Sequence, residues 1–508
     1  MIDLQVLAFS LYLCLMLGIG LFFFIKSNKA KAQGDKEYFL GGRQMGPYVT
    51  AMSAQASDMS GWLLMGFPGS IFAFGMGKVW IGIGLTLGTI ANWIFVAKRL
   101  RRFSAAANDS ITLPQYLSNR FATQNPALQI ICAIIFLVFF TVYVASSFVA
   151  GATVFEEVIP QLKGNGNISL VIFAVIIIIY TFLGGYKAVC WTDFFQGLMM
   201  IIAVLSVPIV ILATKQLDWS QLSTMYEYIE NGETVVCAFD INPFKVSWQD
   251  VASGLAWGLG YFGMPHILVR FMSIKKPSLI KKSATVAIIW VILSLGAAIA
   301  IAILGRTLIA QELLTVGLQK NVFIKLVQML FPPFIIGILL SAIIAAAMST
   351  ADSQLLVASS SFTSDIYKPI IRKNASDKEV LWVGRLVVLI VAVVAYFIAS
   401  SKSSGAQSIM NMVENAWGGF GSAFGGVIIL SVFWKRLTYK GAVAGVVIGA
   451  VVDVLWLVFL TVPTGIYELL PGFFAGLFAA VITSLIDKEP SEEVLKIYET
   501  ATNKTLNE

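Results

Sequence analysis

Runs of about twenty apolar residues recur along this 508-residue chain and limit its fold more than any motif in it. Coiled into a helix, such a run matches the thickness of a bilayer's hydrocarbon core. A helix also satisfies its backbone groups within one segment, which lipid demands. The runs lie near 4–25, 48–75, 79–97, 128–155, 168–185, 192–213, 247–268, 283–305, 332–358, 379–399, 407–434, 441–462 and 465–486. They predict an all-α polytopic membrane protein of roughly thirteen spans. A composition of 58% hydrophobic and 12% charged residues agrees. The first run begins by Leu4 with no basic stretch before it and no small-residue cleavage site after it. It reads as a first membrane helix, not a removed leader.

Loop charges orient the spans. One set of alternate loops holds twenty-three Lys and Arg, from Lys26, Lys31 and Arg43 through Lys98, Arg101, Arg102, Arg120, Lys187, Arg270, Lys282 and Lys378 to Lys440. The other set holds eight, among them Lys78, Lys215, Lys245, Arg306 and Lys402. Positive loops face the cytoplasm. With thirteen spans, the N-terminus is expected outside the cell membrane and the C-terminus inside. The net charge of +7 follows from these loops and calls for no nucleic acid. The loop at 214–246 is the largest external segment. The tail at 487–508 is polar, with Val494, Leu495 and Tyr498 at helical spacing.

Several classes of site are excluded. His266 is the single histidine, and Cys14, Cys132, Cys190 and Cys237 have no CxxC spacing, so neither a zinc site nor a disulfide framework is expected. Gly77-Lys78 lacks the first glycine of a P-loop and is followed by Val79. No nucleophile–base set surrounds His266, so an enzyme is the least favoured class. A membrane sensor that binds solute without moving it is the less favoured alternative, since such proteins usually carry a fused signalling domain and a tail of about twenty residues is too short for one. Nothing points to the symmetric pore of a channel. Transport driven by an ion gradient is the class that fits.

Two spans break the apolar rule. The second contains Ser57-Asp58-Met59-Ser60-Gly61 and, further on, Pro68-Gly69. A carboxylate at membrane depth is costly unless it faces a cavity or a partner. The seventh reads Trp257-Gly258-Leu259-Gly260-Tyr261-Phe262-Gly263-Met264-Pro265-His266. Its glycines and proline weaken a helix and free backbone groups. The string Gly258-x-Gly260-x-x-Gly263 matches a dinucleotide fingerprint but lacks the βαβ context, so it is read as a Gly-rich membrane helix. The breaks lie five spans apart, an odd number, so successive five-helix units would enter the membrane from opposite sides. Paired interruptions in inverted halves point to a secondary transporter's site; packing kinks are the plainer alternative. A third cluster, Ser349-Thr350-Ala351-Asp352-Ser353, follows three alanines. Its hydroxyls either ligate a hard cation together with freed carbonyls or bond back to their own helix.

These residues resemble the sodium/solute symporter family, and within it the bacterial sodium/proline symporters. The matching stretches are Gly41-Gly42-Arg43, Ser57 through Gly66, Phe140-Thr141-Val142-Tyr143, Trp191-Thr192-Asp193, Trp257 through His266, Met348-Ser349-Thr350 and Glu468-Leu469-Leu470-Pro471-Gly472-Phe473. The resemblance runs from the first span to the thirteenth. It implies a LeuT-type core of two inverted five-helix repeats, 48–213 and 247–434. Around them lie a first helix and loop at 1–47, the loop 214–246, two peripheral helices at 435–486 and the tail 487–508. It implies sodium held by the carbonyls of Ala56, Met59 and Ala346 and the hydroxyls of Ser349 and Thr350. Arg43, Asp58 and Asp193 match positions tied to coupling or ion access. L-proline would lie among Ser60, Gly61, Trp62, Tyr143, Trp257, Tyr261 and Pro265. Free N–H groups at a half-helix start suit its carboxylate, and aromatic faces suit its ring and cation. Two residues depart from the pattern. Gln55 stands where proline carriers have a small residue, and Asp352 where some have an uncharged one; Asp352 either adds a cation contact or faces the cytoplasmic vestibule. The expected activity is sodium-coupled import of L-proline by alternating access, with another small carboxylate or amine, such as pantothenate or a monocarboxylate, as the alternative solute.

Overall fold

The computed structural model describes residues 3–29, 35–183, 185–230, 232–401 and 408–503. Lys31, Lys402 and the tail residues 504–508, used above, lie outside the described residues. The chain is helical almost throughout. The helices are α1 (Leu4–Lys29), α2 (Asp35–Leu40), α3 (Pro47–Met59), α4 (Gly66–Phe74), α5 (Met76–Ala106), α6 (Leu113–Arg120), α7 (Ala127–Val158), α8 (Gly166–Leu183) and α9 (Tyr186–Thr214). Then come α10 (Trp248–Gly260), α11 (Pro265–Ser273), α12 (Ile280–Leu314), α13 (Val322–Leu330), α14 (Pro333–Ile371) and α15 (Asp377–Ser400). The last are α16 (Ile409–Phe433), α17 (Tyr439–Phe459), α18 (Leu469–Ile486) and α19 (Glu492–Thr502). Among the described residues, ten helices are long and apolar enough to cross a bilayer. The other three apolar runs correspond to α8 and to the interrupted pairs α3–α4 and α10–α11. The tail spacing is realised as α19.

Several helices reach past the apolar runs that announced them. The run at 192–213 becomes α9 from Tyr186, taking in Tyr186, Lys187 and Cys190 ahead of it, with Tyr186 and Cys190 buried. Hydropathy ends a span where polar residues begin; a buried partner lets the helix continue. The same effect corrects the loop-charge count. Arg101, Arg102, Arg120, Arg270 and Arg306 are buried, not loop residues. Arg101, for example, donates to Ile274 O at 2.7 Å.

Close helix contacts explain much of the glycine. A methyl added at Gly84 or Gly88 of α5 would come 2.3 Å from the carbonyl oxygen of Gly254 or Gly258 of α10. Small residues four apart on each helix let the backbones touch. One element was not expected. Within the 214–246 loop, β1 (Tyr226–Glu230) pairs antiparallel with β2 (Glu233–Cys237), Tyr226 opposite Cys237. Arg306 of α12 anchors this hairpin, donating to Thr224 O at 2.6 Å, Cys237 O at 3.1 Å and Phe72 O at 2.9 Å. Phe72 lies in the last turn of α4, where carbonyls lack helical donors.

The broken α3–α4 pair sits at the centre. Residues 51–65 are all buried, and α3 packs against α9, α11, α12 and α14.

Candidate functional site

The last four residues of α3 are Ala56, Ser57, Asp58 and Met59. Carbonyls at a helix C-terminus have no donors within the helix. The chain leaves through Ser60, whose φ of 37° is left-handed and strained for a side chain. Two of the freed carbonyls meet side chains from other helices. Ser349 Oγ of α14 lies 2.8 Å from Ala56 O and 3.1 Å from Ala346 O. Tyr143 of α7 donates its hydroxyl to Asp58 O at 3.3 Å. Ser349 thus reaches across the interface and back to its own helix. Thr350 Oγ1, one residue on, is buried with no hydrogen-bond partner. Ala56, Ala346 and Ser349 form one oxygen cluster, and the orphan hydroxyl belongs to the next residue of the same helix. Met59 closes α3, buried, without a hydrogen bond to Thr350. A hard cation wants such a set of carbonyl and hydroxyl oxygens.

The second break runs from Gly260 to Pro265, which starts α11. Its glycines are demanded by α16. A methyl at Gly260 would fall 1.9 Å from Trp417 Nε1, and one at Gly263 2.3 Å from Phe420 O. Side chains satisfy its carbonyls: Trp417 Nε1 donates to Trp257 O at 2.8 Å and Asn92 Nδ2 to Tyr261 O at 2.9 Å. The two breaks are joined directly, since Tyr261 donates its hydroxyl to Asp58 Oδ2 at 2.5 Å.

Aromatic rings gather between the breaks. Trp62 and Trp257 have centroids 6.2 Å apart, Trp257 and Trp417 6.4 Å, Trp257 and Tyr467 5.4 Å, and Tyr261 and Trp417 5.0 Å. Ser60 Oγ accepts from Trp62 N at 3.3 Å. A methyl at Gly61 would come 2.6 Å from Ala150 Cβ, so this glycine admits α7. Pro265 begins the half-helix at which His266 meets the Tyr143 ring, 6.3 Å away. Sequence reading placed Trp62, Tyr143, Trp257 and Tyr261 here and missed Asn92, Trp417 and Tyr467. Trp417 and Tyr467 stand in spans with no break to mark them, and Asn92 is one polar residue in an apolar helix.

Asp193 is held, not free. Arg270 Nη2 lies 3.2 Å from Asp193 Oδ2 and 2.5 Å from Ser353 Oγ, and its Nε donates to Ser53 Oγ at 3.1 Å. Ser53 donates in turn to Asp193 Oδ2 at 2.6 Å. Asp193 Oδ1 and both carboxylate oxygens of Asp352 are buried without hydrogen-bond partners. Arg43 forms a separate clamp. It donates to Asp109 Oδ1 at 2.7 Å, Ser104 Oγ at 3.0 Å, Ser110 O at 2.8 Å and Met272 O at 2.6 Å. Gly41, Gly42 and Arg43 all have positive φ, at 62°, 62° and 54°. Strain at a non-glycine residue persists where surrounding bonds hold it, and Arg43 has them. Burial raises the Asp109 carboxyl's pKa, but the Lys36 bond and the Arg43 charge outweigh it and hold the group below its usual range.

The sodium:solute symporter family profile matches residues 38–449. The sodium/proline symporter of Haemophilus influenzae is 41% identical over 507 residues, covering 98% of each chain. That of Escherichia coli is 42% identical, covering 97% of this chain and 95% of the relative. The high-affinity proline transporter of Bacillus subtilis is 42% identical, covering 94% and 97%. Among solved structures, a sodium-coupled sialic acid symporter superposes with TM-score 0.73 at 19% identity over 96% of this chain and 99% of that one. The nucleobase-cation symporter Mhp1 superposes with TM-score 0.54 at 14% identity, covering 91% and 98%. These likenesses show an all-α fold of the LeuT type. A profile match across most of the chain and relatives above 40% identity along nearly its whole length leave one assignment: this chain belongs to the sodium:solute symporter family.

Proposed function

We propose that the protein imports L-proline by sodium-coupled symport with alternating access. The observation that carries this reading is the oxygen cluster of Ala56, Ala346 and Ser349, set where α3 breaks, together with the buried, unpartnered hydroxyl of Thr350 that follows Ser349 in the chain. Sodium would be held there, with Met59 O as a further ligand. Proline would lie between the breaks. Backbone N–H groups around Ser60 and Gly61 would take its carboxylate, and Trp62, Trp257 and Tyr261 its ring and ammonium, with Tyr143 and Pro265 completing the wall. The names of the relatives at 41–42% identity support proline as the solute.

Sodium binding would tie α14 to the end of α3 and so order the break at Ser60. Asp58 would act by holding Tyr261, which links sodium occupancy to the solute wall. Asp193, on Arg270, would line the ion's way to the cytoplasm, and Arg43 would close that side. The repeats would be 48–213 and 247–434, with the N-terminus outside and the C-terminus in the cytoplasm. Uptake of labelled proline into proteoliposomes under imposed sodium or proton gradients tests the reading. Uptake driven by sodium and competed by no other small carboxylate or amine is expected. Sodium-independent uptake, or none, overturns it.

A further inference from the structure

The stretch from Glu468 to Phe473 has no part in the sodium or solute site, yet its first residue is 1% exposed. Glu468 stands at the start of α18 and faces Asp453 of α17, which is fully buried. Asp453 Oδ1 accepts from Ser422 Oγ at 2.8 Å, and Glu468 Oε2 from Thr461 Oγ1 at 3.3 Å. Asp453 Oδ2 and Glu468 Oε1 are buried with no hydrogen-bond partner. Both carboxyls open on one notch. A methyl at Gly418 would lie 3.1 Å from Asp453 Oδ1 and 3.4 Å from Glu468 Oε1. Among the described residues, neither acid has an ion-pair partner. The nearby titratable groups are Glu414, one turn earlier on α16, Lys78 in the field of Glu414, and Tyr467, whose hydroxyl donates to Glu414 O at 2.7 Å. Acids are in excess. Two buried, unpaired carboxylates that share a notch cannot both stay ionised at low cost.

We propose that Asp453 and Glu468 form a proton-binding site, one proton held by the pair, separate from the sodium ligands and supporting the aromatic wall. Binding forms one O–H bond with a proton taken from water, and nothing else is made or broken. Tyr467 adjoins Glu468 and its ring lies tilted 5.4 Å from that of Trp257; Trp417 adjoins Gly418 and donates to Trp257 O. Loss of the proton sets two anions against each other, moves the start of α18 and draws Tyr467 away from Trp257.

Infrared difference spectroscopy on the purified full-length protein tests the site without reference to any solute. The wild type minus D453N/E468Q is expected to show a protonated-carboxyl C=O band at neutral pH; Asp58, Asp193 and Asp352, common to both, cancel. No such band overturns the proposal. So does a band that vanishes when sodium replaces choline at constant pH, because the pair would then hold sodium. If the double variant does not fold, the wild-type titration is read against E468Q alone, with the same criteria. A second arm rests on the proline reading. Sodium-dependent proline affinity of the wild type should fall at least about tenfold from about pH 6 to about pH 9, by linkage to the released proton. In D453N/E468Q it should change less than about twofold over the same range. A flat wild-type profile, or a variant that keeps the wild-type slope, overturns the proposal. A carboxyl band without proline binding at any pH refutes the proline reading and leaves the proton site standing.

Discussion

A few side-chain atoms carry the division of labour at this site. Thr350 Oγ1 has no hydrogen bond to lose, so removing it tests ligation and little else. A ligand to a charged group contributes about 1.5–3 kcal/mol, so Thr350→Ala should raise the half-saturating sodium concentration roughly 10- to 100-fold. Ser283→Ala should change it far less, since the Ser283 hydroxyl sits on Pro47 O at 2.8 Å, at the other end of α3. Sodium-dependent uptake checks both, and equal shifts would sink the sodium assignment. Tyr261→Phe removes the 2.5 Å bond to Asp58 and keeps the ring. Proline affinity should fall about tenfold, with sodium affinity also reduced, as both ligands share that link. Asp109 yields a pH prediction. A depressed folded pKa contributes stability above the unfolded value, lost only as pH falls through the lower one. The Arg43 clamp should therefore hold across neutral pH and weaken only in acid below the usual carboxylate range. An Asp109→Asn variant whose uptake profile shifts near neutrality would contradict this.

At the scale of elements, the interrupted helices depend on glycine for contact as much as for flexibility. Gly258 lies against Gly84 O at 2.3 Å from where its methyl would be, and neither backbone has room to retreat. Gly258→Leu should cost more than the usual 1–3 kcal/mol of overpacking, seen as a sharp loss of thermal stability in detergent. The Arg270–Asp193 pair is a second test. Arg270→Ala would strand a buried carboxylate and should cost about 3–5 kcal/mol, while Arg270→Ala with Asp193→Asn should recover part of it. Melting temperatures with and without sodium separate this structural loss from a loss of ion binding. The interruptions at Ser60 and between Gly260 and Pro265 were legible in the chain because both break a long apolar pattern with polar or helix-weakening residues. Arg270 was misread as a loop charge for the converse reason. Periodicity has no symbol for a charge whose partner lies 77 residues away.

For the whole molecule, alternation of sides is the property to measure. A cysteine at Lys245 should react with a membrane-impermeant maleimide on intact cells. One at Glu489 should react only after permeabilisation. Reaction of both from the same side would refute the proposed odd number of spans between them and the orientation of the termini.

Bilayer thickness and the cost of unsatisfied backbone are local constraints, and they act on consecutive residues. The amino-acid sequence alone therefore determined a helical membrane protein, its approximate spans, its two breaks and the types of side chain around them. Which oxygens meet, which carboxylates stay unpaired and which glycines touch depend on residues of different helices, some of them 160 or 293 positions apart. Ser349 on Ala56, Trp417 on Trp257 and Glu468 beside Asp453 exist only once the helices pack. A close-packed interior sets those distances to fractions of an ångström, and no pattern along the chain encodes them.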